Sequence, residues 1–286
     1  MQNTTSPEDA QTIIQNLRLN ERPIGVFDSG IGGLTVVAAL RHLLPSEGIF
    51  YVGDTARVPY GGKSQKTIER YSMEISQLLL SENAKMVIVA CNTSSALALD
   101  HLRDRLAVPV LGVIQPGASA AVSTSKNKRI GVIGTRATIA SKAYNQAIQA
   151  ICLEAEVFDK ECPLLVPLIE EGMLKDEITN MTLQRYLGPL LEKDIDTLVL
   201  GCTHYPLLRK AIARLVGPNI TLVDSAHYCA LSVREALLKQ GVSNEGLSVG
   251  KLRVALTDAT EGFLRVAEKE LDLKIGEVEL LGSYEN

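Results

Sequence analysis

The sequence contains no tryptophan, few other aromatic residues and no long apolar run. Aromatic residues make up 4% of its 286 positions. A membrane-spanning helix needs roughly 18 or more consecutive apolar residues, so we predict no membrane span and no membrane partner. Residues 1–21 are polar and include Glu8 and Asp9, which is not the composition of a secretory signal. We therefore expect a protein that stays in the cytoplasm.

An excess of basic charge is also missing. The chain carries 29 Lys and Arg residues against 33 Asp and Glu residues, which gives a formal net charge of −4. A protein that binds nucleic acid without sequence preference needs a basic face to contact the phosphates. We therefore expect no nucleic-acid partner.

The cysteine count does not favour a disulfide framework. The number is odd, five in all: Cys91, Cys152, Cys162, Cys202 and Cys229. Disulfide frameworks are typical of small secreted domains with even counts. Free thiols in a reducing cytoplasm are the simpler interpretation.

Strand and helix patterns alternate along the chain. Hydrophobic residues account for 46% of the sequence and charged residues for 22%, which is typical of a globular protein long enough for two domains. The alternation predicts an α/β fold of two similar domains, each a mainly parallel sheet flanked by helices. The pattern breaks at residues 115–117 and then restarts. The interval from Cys91 to Val113 equals that from Cys202 to Asp224, which indicates a duplication.

These patterns predict the domain boundaries. Residues 1–21 form an N-terminal tail, with a short helix around residues 13–17. Residues 22–115 together with 225–286 form the first domain, and residues 116–224 form the second. The C-terminal part contributes a strand at residues 251–256 and a helix at residues 261–270.

Two strand–cysteine–helix units stand out. Cys202 ends an apolar strand, and a helix follows that Thr203 would cap and Pro206 would start. Upstream, Cys91 ends another apolar strand, and Asn92 and Thr93 precede a helix predicted over residues 94–106. A helix N-terminus favours thiolate over thiol. Beside Cys202 a histidine two residues away adds to this effect.

Two such thiols suggest a specific kind of chemistry. Ligands of open α/β sheets bind beyond the carboxyl ends of the strands, so two facing sheets would place Cys91 and Cys202 on opposite sides of one cleft. Acid/base groups on opposite faces of a carbon are what stereochemical inversion requires, because one removes a proton and the other returns it. Most buried cysteines are simply small apolar residues, and Cys152 and Cys162 keep that interpretation.

Four segments together resemble the cofactor-independent glutamate racemase family. They are Phe27-Asp28-Ser29-Gly30-Ile31-Gly32-Gly33-Leu34, Pro59-Tyr60-Gly61, Ala90-Cys91-Asn92-Thr93 and Gly201-Cys202-Thr203-His204-Tyr205-Pro206. The resemblance implies two α/β domains with the active site between them, and interconversion of L- and D-glutamate for peptidoglycan synthesis. It also implies a homodimer that uses neither pyridoxal phosphate nor a metal. Some members with N-terminal extensions respond to a peptidoglycan precursor, so the resemblance leaves such a regulator open here.

The resemblance also assigns roles to individual residues. Cys91 resembles the base that deprotonates D-glutamate, and Cys202 resembles the base for L-glutamate. Asp28 resembles the carboxylate beside the first thiol, and Glu170 and His204 resemble the partners of the second. Substrate contacts are matched by a further set: Asp28, Ser29, Tyr60, Gly61, Asn92, Thr93, Thr203 and His204.

Simpler roles remain open for three of these positions. Asp28 could be only a helix cap, Glu171 could replace Glu170, and His204 could be a structural histidine. Two nucleotide-binding interpretations fail. Residues 30–35 lack the third glycine of a dinucleotide fingerprint, and residues 57–64 lack the first glycine of a P-loop.

Three other functions compete with a glutamate racemase. An aspartate racemase, or another amino-acid racemase of the superfamily, would share both cysteines. A thiol-based redox sensor would use them to form a disulfide under oxidation. A regulator that only binds its ligand would need neither the two thiols nor the acids beside them.

Overall fold

The protein, described by a computed structural model over residues 19–258 and 269–282, contains two parallel β-sheets. The strands of the first sheet are β1 (Ile24–Asp28), β2 (Ile49–Gly53), β3 (Met86–Val89), β4 (Val110–Gly112), β9 (Leu252–Leu256) and β10 (Val278–Leu280). Those of the second are β5 (Arg129–Gly134), β6 (Glu156–Glu161), β7 (Thr197–Gly201) and β8 (Thr221–Asp224). The strand orders are β10-β9-β2-β1-β3-β4 and β6-β5-β7-β8, with every neighbouring pair parallel.

The central strands are buried on both faces. Every residue of β1, β3 and β7 is buried. Continuous apolar runs of this kind are typical of parallel sheets covered by helices on both sides. The α/β fold predicted from the sequence, with two parallel sheets flanked by helices, is therefore confirmed.

The covering helices follow the strands along the chain. They are α1 (Leu34–Leu43), α2 (Gln65–Ser81), α3 (Asn92–Leu97), α4 (Leu99–Arg103), α5 (Ile114–Thr124), α6 (Arg136–Ala140), α7 (Ala143–Ile151), α8 (Leu165–Glu170), α9 (Glu177–Leu191), α10 (Arg209–Val216) and α11 (Ser225–Gln240). Side chains of Ser64, Thr135, Asp176 and Asp224 accept hydrogen bonds from the first turns of α2, α6, α9 and α11. Such caps satisfy backbone donors that a helix start leaves unpaired.

Two helices connect the sheets. Helix α5 lies between β4 and β5, and α11 lies between β8 and β9, so the chain crosses between the sheets at these helices, which also contact each other. One apolar cluster includes Ile24 and Leu40 beside the first sheet, Leu200 in the second, and Val233 and Leu237 of α11. The two halves of the molecule therefore share a core. Among the described residues, no helix is both long and apolar enough to span a membrane.

Several predicted boundaries are wrong. The break at residues 115–117 is instead the first turn of α5, where Pro116 is tolerated because its missing N–H would have no helical partner there. The helix predicted over residues 94–106 begins at Asn92 and is divided at Ala98 into α3 and α4.

The predicted domain limits stay predictions. Both sheets are consistent with them, since the first draws on strands before residue 115 and after residue 225. The predicted tail helix around residues 13–17 lies outside the described residues. Residues 261–268 of the predicted C-terminal helix also lie outside them.

Candidate active site

Strands of both sheets end at one narrow cavity. Asp28 ends β1, Cys91 follows β3 after one residue, and Thr135 and Cys202 directly follow β5 and β7. The carboxyl edge of a parallel sheet is where α/β proteins bind ligands. The cavity has a volume of about 30 Å³, and it is lined by Ser29, Val58, Pro59, Tyr60, Gly61, Cys91, Asn92, Thr93, Thr135, Val166, Cys202, Thr203 and His204.

Cavity volume alone would favour a different part of the molecule. A larger cavity of about 740 Å³ lies beside α4, α5 and α11, and its lining includes neither Cys91 nor Cys202. The small cavity is the better candidate because it brings together two thiols, a histidine and several hydroxyl groups, which can move protons.

Cys91 is held as a thiol. It is buried, and its Sγ lies 3.6 Å from the Ser29 hydroxyl. Burial and the nearby Asp28 carboxylate raise its pKa to about 12, although hydrogen bonds involving Ser94 and Ser29 lower it in part. The helix N-terminus beside this thiol does not offset the rise. Desolvation is the largest effect, because burial penalises the charged thiolate.

Cys202 begins a chain of three polar groups. Its Sγ lies 3.8 Å from Nδ1 of His204, and Nε2 of His204 lies 3.1 Å from Oε1 of Glu170. Burial lowers the His204 pKa, but hydrogen bonds to Cys202 and Glu170 raise it more strongly, to about 10. The imidazole is thus placed to exchange a proton with the Cys202 sulfur.

Glu170 completes this chain at the end of α8. Its side chain is 35% exposed, so the relay leads from the buried sulfur toward solvent. The neighbouring Glu171 is exposed and follows the end of the helix. The geometry thus brings Glu170, and not Glu171, to His204.

Asp28 contacts both halves of the site. It is fully buried, and its Oδ2 accepts hydrogen bonds from the backbone N–H groups of Gly30 at 3.2 Å and Gly33 at 3.1 Å. Its Oδ1 accepts a hydrogen bond from the Thr203 hydroxyl at 3.4 Å. Burial raises the pKa of Asp28, and the charge of His204 and the backbone donors offset only part of that rise. Asp28 therefore binds the turn before α1 without capping the helix itself, and it also faces the Cys202 unit.

Pro59, Tyr60 and Gly61 form one wall of the cavity. Tyr60 is buried and its hydroxyl donates to Asp54, which also accepts hydrogen bonds from Arg57 at 2.7 Å and Thr257 at 3.1 Å. Gly61 lies against the second domain, because a Cβ at this position would be 2.9 Å from the Cβ of Thr135.

The glycine-rich loop after β1 also lies very close to the residues that follow Cys202. A side chain at Gly32 would collide with the Thr203 hydroxyl and with the imidazole of His204. Glycine is therefore required for this loop to reach the Cys202 unit.

The polar residues after each cysteine do not cap helices as predicted. Thr203 donates to Asp28 instead, and the helix beyond it begins as a 3₁₀ turn at Tyr205. The Thr93 hydroxyl lies 2.9 Å from that of Thr135 and 3.3 Å from that of Thr138. These hydrogen bonds cross the cleft between the sheets, beside the cavity that Thr93 and Thr203 line.

Sequence reasoning missed several residues of the site. Asp54 directly follows β2 and Thr135 directly follows β5, so the rule that singled out Asp28 and Cys202 would also have found them. Tyr144 gave no signal, because it lies within a helical pattern; its hydroxyl donates to Asn92 at 2.7 Å. Among residues 19–258 and 269–282, no group of three or more His, Cys, Asp or Glu side chains is arranged to hold a metal ion.

Comparisons with known proteins identify relatives over most of the chain. The model of the Asp/Glu/Hydantoin racemase family matches residues 34–232. A glutamate racemase of Chlorobaculum tepidum is 48% identical over 264 residues, covering 92% of this chain and 97% of the relative. A glutamate racemase of Geobacter metallireducens is 47% identical over 257 residues, covering 90% and 95%.

Solved structures show the same similarity. The structure of glutamate racemase isoform RacE1 from Bacillus anthracis superposes with a TM-score of 0.88 at 37% identity, covering 92% of this chain and 98% of that one. The Francisella tularensis glutamate racemase in complex with D-glutamate gives a TM-score of 0.85 at 37% identity with the same coverage. An aspartate racemase of Picrophilus torridus gives 0.54 at 16% identity and covers 77% of this chain and 99% of that one, so it shares the fold alone.

Proposed function

The chain belongs to the Asp/Glu/hydantoin racemase family, and we propose that Cys91 and Cys202 are the two acid/base groups with which it interconverts L- and D-glutamate. The single observation that carries the assignment is that two buried thiols, each at the carboxyl end of a strand from a different sheet, line one cavity. The enzyme is an isomerase, and its D-glutamate product serves peptidoglycan synthesis.

The two sulfurs have different neighbours, which give them different roles when L-glutamate is bound. With the imidazolium of His204 beside it, the Cys202 sulfur is placed to take the α-proton of L-glutamate. Cys91, whose pKa is about 12, holds the proton that the opposite face of the carbon needs. The product is D-glutamate, and the two sulfurs have exchanged protonation states.

The reverse direction needs Cys91 to lose its proton. Asp28 is placed nearby with a raised pKa, so it is a group that can hold a proton in the closed site. The hydroxyl groups of Ser29, Thr93 and Thr203 and the amide of Asn92 offer donors for the substrate carboxylates. Preorganised donors of this kind stabilise the negative charge that develops when an α-proton is removed.

Two experiments test the proposal. Purified protein with no added cofactor should abolish the circular dichroism of L-glutamate and leave that of L-aspartate nearly unchanged. Cys91→Ala and Cys202→Ala should each lose at least the roughly 10²–10⁴-fold typical of one acid/base group while remaining folded. Near-normal racemisation by either folded variant contradicts the assignment.

A redox sensor is the alternative from another class. It predicts that mild peroxide removes two titratable thiols together, and that no racemisation occurs at any glutamate concentration. The polar chain from Cys202 through His204 to Glu170 favours the enzyme, since a sensor has no need of a proton path that leads to solvent.

We further propose that the enzyme is a cytoplasmic homodimer that responds to a peptidoglycan precursor. The Escherichia coli glutamate racemase, 30% identical, covering 91% of this chain and 98% of that one with a TM-score of 0.75, has been solved with L-glutamate and the activator UDP-MurNAc-ala. Sedimentation equilibrium measures the oligomeric state. Addition of UDP-MurNAc-alanine to the racemisation assay should raise the rate, and an unchanged rate at saturating precursor contradicts the regulation.

A further inference from the structure

Asn92 carries a buried donor that no other group satisfies. The residue is 2% exposed and lines the cavity beside Cys91. Its Oδ1 accepts a hydrogen bond from the Tyr144 hydroxyl at 2.7 Å, while its Nδ2 is buried without a hydrogen-bond partner. Leaving a buried donor unpaired is costly, and native structures rarely do so without a reason. A substrate carboxylate in the cavity is the acceptor this amide lacks.

Tyr144 reaches Asn92 from the opposite side of the cleft. Asn92 starts α3 beside the first sheet, whereas Tyr144 belongs to α7 beside the second. The ring is 2% exposed and tightly packed, since a Cβ on Gly201 would be 3.1 Å from its Cε2, and a Cβ on Gly117 would be 3.2 Å from its hydroxyl. The ring therefore has little freedom to move, and the position of its hydroxyl is fixed by the second domain.

The hydrogen bonds made by the Tyr144 hydroxyl decide which way the side-chain amide of Asn92 faces. The Ser225 hydroxyl, at the start of α11, forms a hydrogen bond to the Tyr144 oxygen, and burial raises the Tyr144 pKa so that the phenol keeps its proton. With a donor from Ser225 already on the oxygen, the phenol proton is directed to Asn92. Only the carbonyl of an amide accepts such a proton.

We propose that Tyr144 is a positioning residue that acts through Asn92, holding the amide carbonyl so that Nδ2 faces a carboxylate of the bound substrate. Without the phenol, the two ends of the amide are nearly equal in shape, and the carbonyl would face the carboxylate in part of the molecules. The inference rests on the proposed function, because it assigns a role within the same racemase site.

Tyr144→Phe is the direct test, since it removes the hydroxyl and keeps the ring. If Asn92 binds the carboxylate equally in the ground and transition states, the loss raises KM and leaves kcat within about twofold. We expect KM for both enantiomers to rise about two- to tenfold, because apparent affinity falls with the fraction of molecules whose amide faces the substrate correctly, from about one half to about one tenth. Ser225→Ala, which removes only the donor to the Tyr144 oxygen, should raise KM by a smaller factor.

A double-mutant cycle separates positioning from structural damage. In an Asn92→Ala background, Tyr144→Phe should change kcat/KM by less than about twofold, because the group it orients is gone. Tyr205→Phe is the matched control: it removes another buried hydroxyl, which donates to the Cys162 carbonyl at 3.0 Å and does not touch Asn92. Its effect should be the same in both backgrounds. Thermal unfolding midpoints measured on each variant report folding independently.

Two results overturn the inference. One is an unchanged KM in folded Tyr144→Phe. The other is a Tyr144→Phe loss that is as large with Asn92→Ala as without it. If Tyr144→Phe does not fold, Ser225→Ala in the two backgrounds answers the same question. Failure of the proposed function looks different, since the wild-type protein would then not racemise glutamate at all.

Discussion

The two thiols of the site have unlike neighbours. Cys91 is buried near the Asp28 carboxylate, and burial together with that charge raises its pKa to about 12. Cys202 lies 3.8 Å from Nδ1 of His204, whose pKa is lowered by burial but raised more strongly, to about 10, by hydrogen bonds to Cys202 and Glu170. The reaction needs each sulfur to act as base in one direction and as acid in the other. The residues beside the two sulfurs must therefore allow each sulfur both to take up and to release a proton, although their neighbours differ.

This asymmetry leads to a prediction for His204→Asn and Asp28→Asn. His204→Asn should lower kcat more from L-glutamate, and Asp28→Asn more from D-glutamate, with the larger loss roughly tenfold or more. The two enantiomers have equal free energies in achiral solution, so kcat/KM must stay equal in both directions and KM must change to match. The measurement is saturation kinetics from each enantiomer.

Thr203→Val is the control for this pair. It removes the hydroxyl that donates to Asp28 at 3.4 Å and leaves both charged groups in place. We expect it to lower the two kcat values by the same factor. Equal losses in both directions for His204→Asn and for Asp28→Asn would mean that these residues position the substrate and do not serve individual thiols.

At this scale the sequence predicts the identity of the site residues better than their charge. The segments around Cys91 and Cys202 are recognisable, and each predicted partner lies in or beside the cavity. The protonation of Cys91 could not be predicted, because it depends on burial and on the distance to Asp28, neither of which the linear sequence contains. The Tyr144–Asn92 contact joins residues of different domains, so no local pattern reveals it.

At the scale of elements, short loops after the strands determine how closely the two domains approach. The loop after β1 and the turn at Tyr60–Gly62 both present glycine where the other domain is in contact. The sequence predicted most strands and most helices, because apolar runs and helical spacing are local signals; it gave no prediction for β10. It did not predict the helix starts after the two cysteines, because tertiary contacts of Thr93 and Thr203 replace the expected caps.

The turn allows a matched pair of substitutions. Gly61→Ala would place a Cβ 2.9 Å from the Thr135 Cβ, whereas a Cβ on the adjacent Gly62 has nothing within 4 Å. Overpacking costs about 1–3 kcal/mol, and here it would push apart the two walls of the cavity. We expect Gly61→Ala to lower kcat/KM on the order of tenfold or more and Gly62→Ala to change it by less than about twofold. Equal effects of the two variants in a racemisation assay would rule out close approach as the reason for glycine.

On the scale of the whole molecule, one buried ion pair ties together distant segments. The Lys85 ammonium lies 2.6 Å from the Glu47 carboxylate, and both side chains are 1% exposed. The ammonium also donates to the carbonyls of Asn20 and Val242, while Asn244 donates its backbone N–H to Glu47. The start of the described chain and the segment after α11 are thereby held against the first sheet, away from the cavity.

Removing one partner of this pair should destabilise the fold. Lys85→Met leaves the Glu47 charge buried without its cation, and such a change costs about 3–5 kcal/mol. Arg136→Met is the control, because Arg136 and Glu161 are more than half exposed and 4.0 Å apart, and exposed pairs contribute about 0–1 kcal/mol. Denaturant unfolding measures both. A Lys85→Met loss no larger than that of Arg136→Met would show that the pair does not hold these segments.

The stability of the whole molecule should also depend on pH through His204. In the folded protein its pKa is raised from 6.5 to about 10, so the folded state binds its proton more tightly than the unfolded state does. Below the unfolded value both states are protonated and the stabilisation is fully present; it is lost as pH rises through the folded value, with a slope of at most about 1.4 kcal/mol per pH unit for one proton. His204→Asn should therefore reduce the free energy of unfolding most at pH 6, and the difference from wild type should shrink as pH approaches 10. Denaturant unfolding of both proteins at pH 6, 8 and 10 measures it. A difference that stays constant or grows with pH would contradict a cationic His204 held between Cys202 and Glu170.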